Sequence, residues 1–353
     1  MADAYINRIG TAVPPHDCHD KFVDYAPSLL TEPRLRRLFG RMAERAQIEH
    51  RWSFFEPHAD PAKLDAGDFY RRGAFPDTAA RMRFYERHAP GLAAAALEAA
   101  GIGQWGRGVT HLIVVSCTGF YAPGLDLQIV QQFGLDPGVE RTMIGFMGCY
   151  AAMNALKLAR HIVRAEPAAK VAVVCLELCT LHMQETADLE ALLSFLIFAD
   201  GCAAALVSAE PQGIRLDGFA SAVMPESAGL ITWHIGECGF DMFLSGQVPN
   251  AIGHGLPDAA PALLGGRRRD EVALWAIHPG GRTVLDAVET ALALPPDALD
   301  RSRAVLRDYG NMSSATVMFV LKAMLEDAAA AGPGCAMAFG PGLTAEAMAF
   351  TKP

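Results

Sequence analysis

The chain has 353 residues, 51% hydrophobic, 20% charged and 8% aromatic, with a formal net charge of −9 at pH 7. At roughly 150 residues per domain, this length allows one large domain or two fused ones around a deep core, and a mildly positive mean hydropathy excludes simple disorder. The acidic balance argues against general nucleic-acid binding, and no uninterrupted apolar run approaches the ~18 residues of a membrane span.

Along the chain, residues 1–20 show no basic segment leading into an apolar one, so no secretory leader and a cytoplasmic location are expected. The stretch from Arg34 to Arg45, which includes Arg41, is strongly basic within an acidic protein. Two readings fit it: a solvated helix face, or a docking site for an anionic ligand such as a phosphorylated cofactor. Short apolar runs at 111–115, 171–175, 272–277 and 335–339 predict strands buried on both faces. Ala-rich stretches at 149–163 and 313–330 predict helices between them, which together indicate an α/β layered fold.

The two halves of the chain repeat one another weakly. From Val115 to Cys149 is 34 residues, and from Ile277 to Asn311 is also 34. Each interval starts at a strand end and finishes where a small-residue helix opens. A duplicated unit accounts for this, with the join at the turn around Ser208 to Gly213. Two related halves, 1–208 and 209–353, would then bring Cys149 and Asn311 to one central site. The eight cysteines include no CxxC pair and suit reduced, buried thiols rather than disulfides, and no zinc set is complete, so no metal is expected.

Cys149 follows Met147-Gly148 and opens a helical stretch. A thiol at a helix N-terminus feels the positive end of the dipole, which predicts a lowered pKa and a nucleophilic thiolate. Read alone, it is equally a buried, inert cysteine. His278 closes an apolar strand and opens the Gly-rich loop His278-Pro-Gly-Gly281, in the place where α/β sheets gather ligands. A structural hydrogen-bonding role also fits it, and Asn311 alone reads as a helix N-cap. Together the three make a coherent device: a thiolate to carry an acyl group and two neutral donors for an enolate or oxyanion. A cysteine protease uses the same residue types, so composition does not choose between them.

Six segments in order carry a specific resemblance: Ile9-Gly-Thr-Ala-Val-Pro-Pro-His16, Gly148-Cys149, Phe198-Ala-Asp-Gly201, His278-Pro-Gly-Gly281, Tyr309-Gly-Asn-Met-Ser-Ser-Ala315 and Phe339-Gly-Pro-Gly-Leu-Thr344. In these the sequence resembles the type III polyketide synthases, the chalcone synthase-like branch of the thiolase superfamily. The resemblance implies a thiolase-like αβαβα fold built from two duplicated halves, and a homodimer. It implies that Cys149 takes a starter acyl group from CoA, that His278 pairs with it as a thiolate, and that His278 and Asn311 hold the malonyl thioester while CO2 leaves. Acyl-CoA and malonyl-CoA are the implied substrates, with no cofactor beyond these thioesters. Phe198 matches a gatekeeper, Arg41 and Arg45 fall where CoA phosphates are met, and Gly340, Pro341 and Gly342 match a loop shaping the cavity wall.

Departures from the plant pattern bear on the product. Met242 replaces a second gatekeeper Phe, Trp233 stands at a Gly position, and Cys117 and His182 stand where plant enzymes have Thr. A flexible Met at the gate suits alkyl chains, whereas a Trp removes volume near the cavity floor. The expected activity is condensation of a fatty acyl starter with malonyl-CoA, then cyclisation to an alkylpyrone or alkylresorcinol. The alternatives are a malonyl-primed enzyme making a tetrahydroxynaphthalene- or phloroglucinol-like product, for which Cys117 is suggestive, and a ketoacyl-carrier-protein synthase III-like enzyme. A starter delivered by a carrier protein stays open at this stage.

Overall fold

The computed structural model describes residues 2–353. Nine strands form one mixed sheet: β1 (Tyr5–Ala12), β2 (His111–Ser116), β3 (Glu140–Gly145), β4 (Val171–Leu178), β5 (Asp200–Ser208), β6 (Ile214–Val223), then, after a separate hairpin of β7 (Ile231–Gly236) and β8 (Gly239–Leu244), β9 (Leu274–Ile277), β10 (Gly332–Gly340) and β11 (Thr344–Lys352). Their order across the sheet is β9-β10-β11-β6-β1-β5-β4-β2-β3. Strand β2 runs parallel to β4, and β4 antiparallel to β5; likewise β9 runs parallel to β10, and β10 antiparallel to β11. The halves meet at β1 and β6 through the residue pairs Tyr5↔Arg215 and Ile6↔Ile214, with the Leu216 N–H donating to the Ala4 carbonyl beside them (2.9 Å). This is the duplicated architecture expected from the repeat. The turn at 209–213 leads from β5 into β6.

The helices that layer this sheet are α1 (Pro33–Ala46), α2 (Thr78–Ala99), α3 (Leu125–Phe133), α4 (Ala151–Ala165), α5 (Leu189–Ile197), α6 (Val248–Leu263), α7 (Arg282–Ala291), α8 (Asp300–Tyr309) and α9 (Thr316–Glu326). Alternation along the strands assigns the layers. In β4, Val171, Val173 and Cys175 face a core shared with α4 and α9, while Ala172, Val174 and Leu176 face α2 and α3. Strands β10 and β11 turn their other face to α6 and α7. The result is the αβαβα sandwich of the thiolase-like fold, with α4 and α9 in the middle.

Three sequence boundaries shift. The strand expected from Val272 starts at Leu274, because Val272 N–H closes a 3-10 turn on the Arg269 carbonyl. The helix expected over 313–330 runs from Thr316 to Glu326. Ser313–Ala315 form a 3-10 turn, and beyond the helix the Asp327 carboxylate takes the Ala329 N–H and turns the chain. The helix expected to open at Cys149 starts at Ala151, after a 3-10 turn over Gly148–Tyr150. The two equal 34-residue intervals are also filled differently: the first holds the edge strand β3, the second holds helix α8.

Candidate active site

The two 3-10 turns that head α4 and α9 pack against each other at the centre of the sandwich. Cys149 lies in the first turn. Asn311 lies just before the second, fixed to the chain after α5 by backbone bonds: its N–H donates to the Ile197 carbonyl (2.8 Å) and its carbonyl accepts from Ala199 N–H (2.9 Å). His278 sits just past β9, its N–H on the Met337 carbonyl of β10 (2.8 Å). All three line one buried cavity of about 780 Å3, open solvent at its mouth included.

Each functional side chain is positioned by short-range chemistry. The Asn311 amide oxygen accepts the Ser313 N–H (2.9 Å), which orients its NH2 toward the Gly280 carbonyl (3.3 Å) and the Cys149 sulfur. Ser313 adopts a left-handed backbone (φ 47°), as do Phe146 (φ 54°) before the Cys149 turn and Leu343 (φ 45°) after the Gly340 loop. Non-glycine residues in that region are strained, and such strain concentrates at functional sites.

Burial dominates the electrostatics. It pushes the Cys149 thiol up to about 11, against the opposing hydrogen bonds of Ser313 and Asn311. Burial likewise holds His278 down at about 3, so its imidazole is neutral. Both ring nitrogens of His278 are buried without a hydrogen-bond partner among the described residues. Burial thus acts on each group against the lowered thiol pKa and the thiolate–imidazolium pair expected from the sequence. Desolvation penalises both charged forms more than a single 3-10 turn can repay. The site brings together a cysteine sulfur, an imidazole able to take one proton and give another, and an amide donor.

Comparison with known proteins gives the family. The model of the chalcone and stilbene synthase N-terminal domain matches residues 2–211, and that of the C-terminal domain matches residues 216–352. The chain belongs to the chalcone and stilbene synthase family, the type III polyketide synthases. It is 35% identical to bisdemethoxycurcumin synthase of Oryza sativa subsp. japonica, over 98% of this chain and 91% of that protein. It is 34% identical to the alpha-pyrone synthesis polyketide synthase-like Pks18 of Mycobacterium tuberculosis, over 93% of this chain and 85% of that protein. Among solved structures, the PKS-I of the brown alga Ectocarpus siliculosus superposes with a TM-score of 0.86 at 28% identity, covering 100% of this chain and 99% of the other. The C-terminal type III domain of Steely1 from Dictyostelium superposes with a TM-score of 0.90 at 24% identity, covering 99% of each chain, a likeness of fold alone. As a member of this family the protein is an acyltransferase.

The synthase gathers most of the other sequence-predicted residues into the same cavity. Phe198, Met242, Trp233, Cys117, His182, Gly340 and Pro341 all line it. Gly342 does not; it lies in the turn behind, with φ 73°. Arg41 and Arg45 are exposed on α1 and do not line the cavity, although the Arg45 carbonyl accepts from Arg282. Trp233 and Met242 are cross-strand partners in the β7–β8 hairpin, and the Trp233 indole N–H donates to the Cys117 carbonyl (2.8 Å).

Two residues escaped the sequence reading. Ser313 lies in the Gly-Asn-Met-Ser-Ser segment, but nothing in the local sequence marks its hydrogen bond to the Cys149 sulfur. Glu177 is fully buried, and its carboxylate accepts from the Cys117 N–H (3.0 Å), the Thr118 hydroxyl (2.8 Å) and the Ser314 hydroxyl (2.6 Å). Burial raises its pKa to about 7. The signal available was a lone acidic residue inside an otherwise apolar strand, β4.

His182 is held as one tautomer: Nε2–H donates to the Thr118 carbonyl (2.6 Å) and Nδ1 accepts the Phe240 N–H (3.0 Å), with the ring stacked on Phe240 at 4.2 Å. Burial keeps it neutral, with a pKa of about 3 against the ordinary 6.5. The unfolded chain gains this proton below pH 6.5 and the folded protein does not. The contribution to stability is complete above pH 6.5 and is lost as pH falls toward 3. Between pH 8 and pH 5, His182 should cost the synthase about 2 kcal/mol. Glutamine can replace both hydrogen bonds without titrating, so His182→Gln should flatten the pH dependence of urea unfolding by that amount. An unchanged slope would show that His182 is not buried neutral.

Proposed function

We propose that this synthase loads a fatty acyl group from acyl-CoA onto Cys149, extends it iteratively with malonyl-CoA and releases an alkylpyrone or alkylresorcinol. The observation that carries the reading is the meeting of Cys149, His278 and Asn311 in one buried cavity whose remaining wall is largely apolar, with Ile231, Met242 and Leu244 among its residues. As the sulfur attacks the thioester carbonyl, its proton passes to the neutral His278 imidazole and CoA leaves as the thiol. For extension, the neutral imidazole N–H and the Asn311 amide donate to the malonyl thioester carbonyl. Loss of CO2 then leaves the electron pair on an oxygen facing two donors, and the enolate carbon attacks the Cys149 acyl thioester. The thioester C–S bond breaks, the sulfur leaves as a thiolate that takes a proton from solvent, and the extended chain, now on CoA, is loaded onto Cys149 again for the next round.

The same reading assigns the Cys-bearing half to residues 1–208 and the His- and Asn-bearing half to 209–353. It makes Phe198 the gate and puts CoA phosphates on the exposed Arg41 and Arg45. It needs no cofactor beyond the thioesters, and it takes the working unit to be a homodimer in the cytoplasm. The kinship with a protein named for alpha-pyrone synthesis supports the pyrone product. Cys117 favours a second reading, a malonyl-primed enzyme, because its thiol lies in the cavity beside Glu177 and Ser313 (3.5 Å each) and keeps that end polar.

Product analysis by mass spectrometry separates the two, using malonyl-CoA with and without acyl-CoA starters from C2 to C18 and aromatic starters. Pyrones or resorcinols that require an alkyl starter are expected; products from malonyl-CoA alone would establish the second reading instead. Trp233→Ala should shift the preferred starter to longer chains, with a selectivity change of about tenfold per step of fit. An unchanged starter profile in that variant would remove Trp233 from the cavity floor.

A further inference from the structure

A second cavity of about 500 Å3, open solvent included, shares Cys179, Phe195 and Phe198 with the reactive one and lies on their other side. Half-buried Lys21, Pro57 and Leu64 form its outer rim. Its deep end is polar and holds Arg51, which is only 2% exposed. The guanidinium is partly spent: Nε donates to His19 Nδ1 (3.1 Å), and Nη1 donates to the carbonyls of Phe195 and Phe198 (2.8 Å each). Nη2 is buried with no hydrogen-bond partner among the described residues. Two carboxylates act on Arg51 from nearby without an ion pair to its guanidinium: Asp17 accepts the Arg51 backbone N–H (3.1 Å), and Asp200 accepts from the Thr180 N–H and hydroxyl (2.8 and 2.7 Å).

A buried cationic N–H without an acceptor is costly, and a planar guanidinium matches a carboxylate better than any other common group. The walls between rim and floor are apolar, from Phe22, Phe55 and Met183. We propose that this cavity is a second ligand site, built for a small carboxylate with an apolar tail, the carboxylate on Arg51 Nη2 and the tail against Phe22, Phe55 and Met183. Lys21 at the rim favours entry of an anion. Because the same guanidinium holds the carbonyls of Phe195 and Phe198, an occupant bears directly on the wall of the reactive cavity. The ligand class is that of a free fatty acid. The site does not depend on the starter or product of the reaction.

Titration calorimetry with octanoate, octanol and octylamine tests this on the intact protein. Octanoate should bind one to one and at least about tenfold more tightly than the neutral and cationic isosteres. Arg51→Met removes the charge but also the brace on Phe195 and Phe198, so Leu64→Trp, which fills the rim, is the deciding variant. It should weaken octanoate at least about tenfold while leaving the melting temperature and the rate of Cys149 alkylation by iodoacetamide unchanged. Equal binding of octanoate and octanol, no binding, or undiminished octanoate binding to Leu64→Trp would each overturn the proposal, the last by placing octanoate in the reactive cavity. None of these readouts requires condensation activity, so failure here is distinct from failure of the proposed reaction.

Discussion

Cys149→Ala should abolish condensation, lowering product formation by more than about 10^3-fold, because no other nucleophile in the cavity can carry the acyl chain. The other thiols that line it, Cys117 and Cys179, are pushed well above the ordinary thiol range by burial and by the Glu177 carboxyl. Neither is bonded by the Asn311 amide, which supports Cys149 alone among the three. Cys149→Gln separates the steps. It keeps a polar side chain in the turn and leaves His278 and Asn311 in place, so decarboxylation of malonyl-CoA should survive while chain extension stops. Release of labelled CO2 and liquid chromatography of the products measure the two halves independently. If both activities vanish in Cys149→Gln, the assignment of decarboxylation to His278 and Asn311 is wrong.

The second large effect concerns backbone rather than chemistry. Gly148, next to the nucleophile, has φ 72°, and a Cβ there would lie 2.4 Å from the Pro341 ring. A Cβ on Gly340 would meet the Tyr150 ring at 2.6 and 2.9 Å and approach the Cys149 nitrogen at 3.4 Å. The turn that presents the sulfur and the loop that walls the cavity thus touch through two missing side chains. Gly148→Ala must pay for both a left-handed alanine and a steric overlap, at about 3 kcal/mol. Displacing a nucleophile by about 1 Å costs about 10^2-fold in rate. Both Gly148→Ala and Gly340→Ala should therefore fall by at least that factor in turnover, with a lowered melting temperature for Gly148→Ala. Wild-type turnover in Gly340→Ala would mean that the loop does not define the position of Cys149.

Much of this arrangement is legible in the amino-acid order. Strands β2 and β4 announce themselves because both their faces are buried, so the apolar residues run without interruption. The equal spacing from strand end to Cys149 and to Asn311 reflects a real pseudo-symmetry, visible in the matching orders β2-β4-β5 and β9-β10-β11. The edge strand β3 stayed hidden for the opposite reason. Its residues Glu140-Arg-Thr-Met-Ile-Gly are mostly exposed, and no alternation marks them.

Protonation was the least legible property. A helix dipole can be inferred from local sequence, but the depth at which Cys149 and His278 lie depends on α4, α9, β10 and the β7–β8 hairpin closing around them. That depth pushes against the thiol shift expected from the local sequence. Glu177 and Arg51 escaped for a related reason: a charged residue reads as surface until the partners that hold it inside are known. Local patterning thus located the reacting groups, and tertiary packing decided the form in which they wait.

The most direct test of the central claim is intact-protein mass spectrometry after incubation with a C12 acyl-CoA and no malonyl-CoA. The account predicts a single dodecanoyl adduct, mapped by peptide analysis to Cys149, absent from Cys149→Ala and discharged on addition of malonyl-CoA. An adduct on another residue, or no adduct under conditions that yield product, would contradict it.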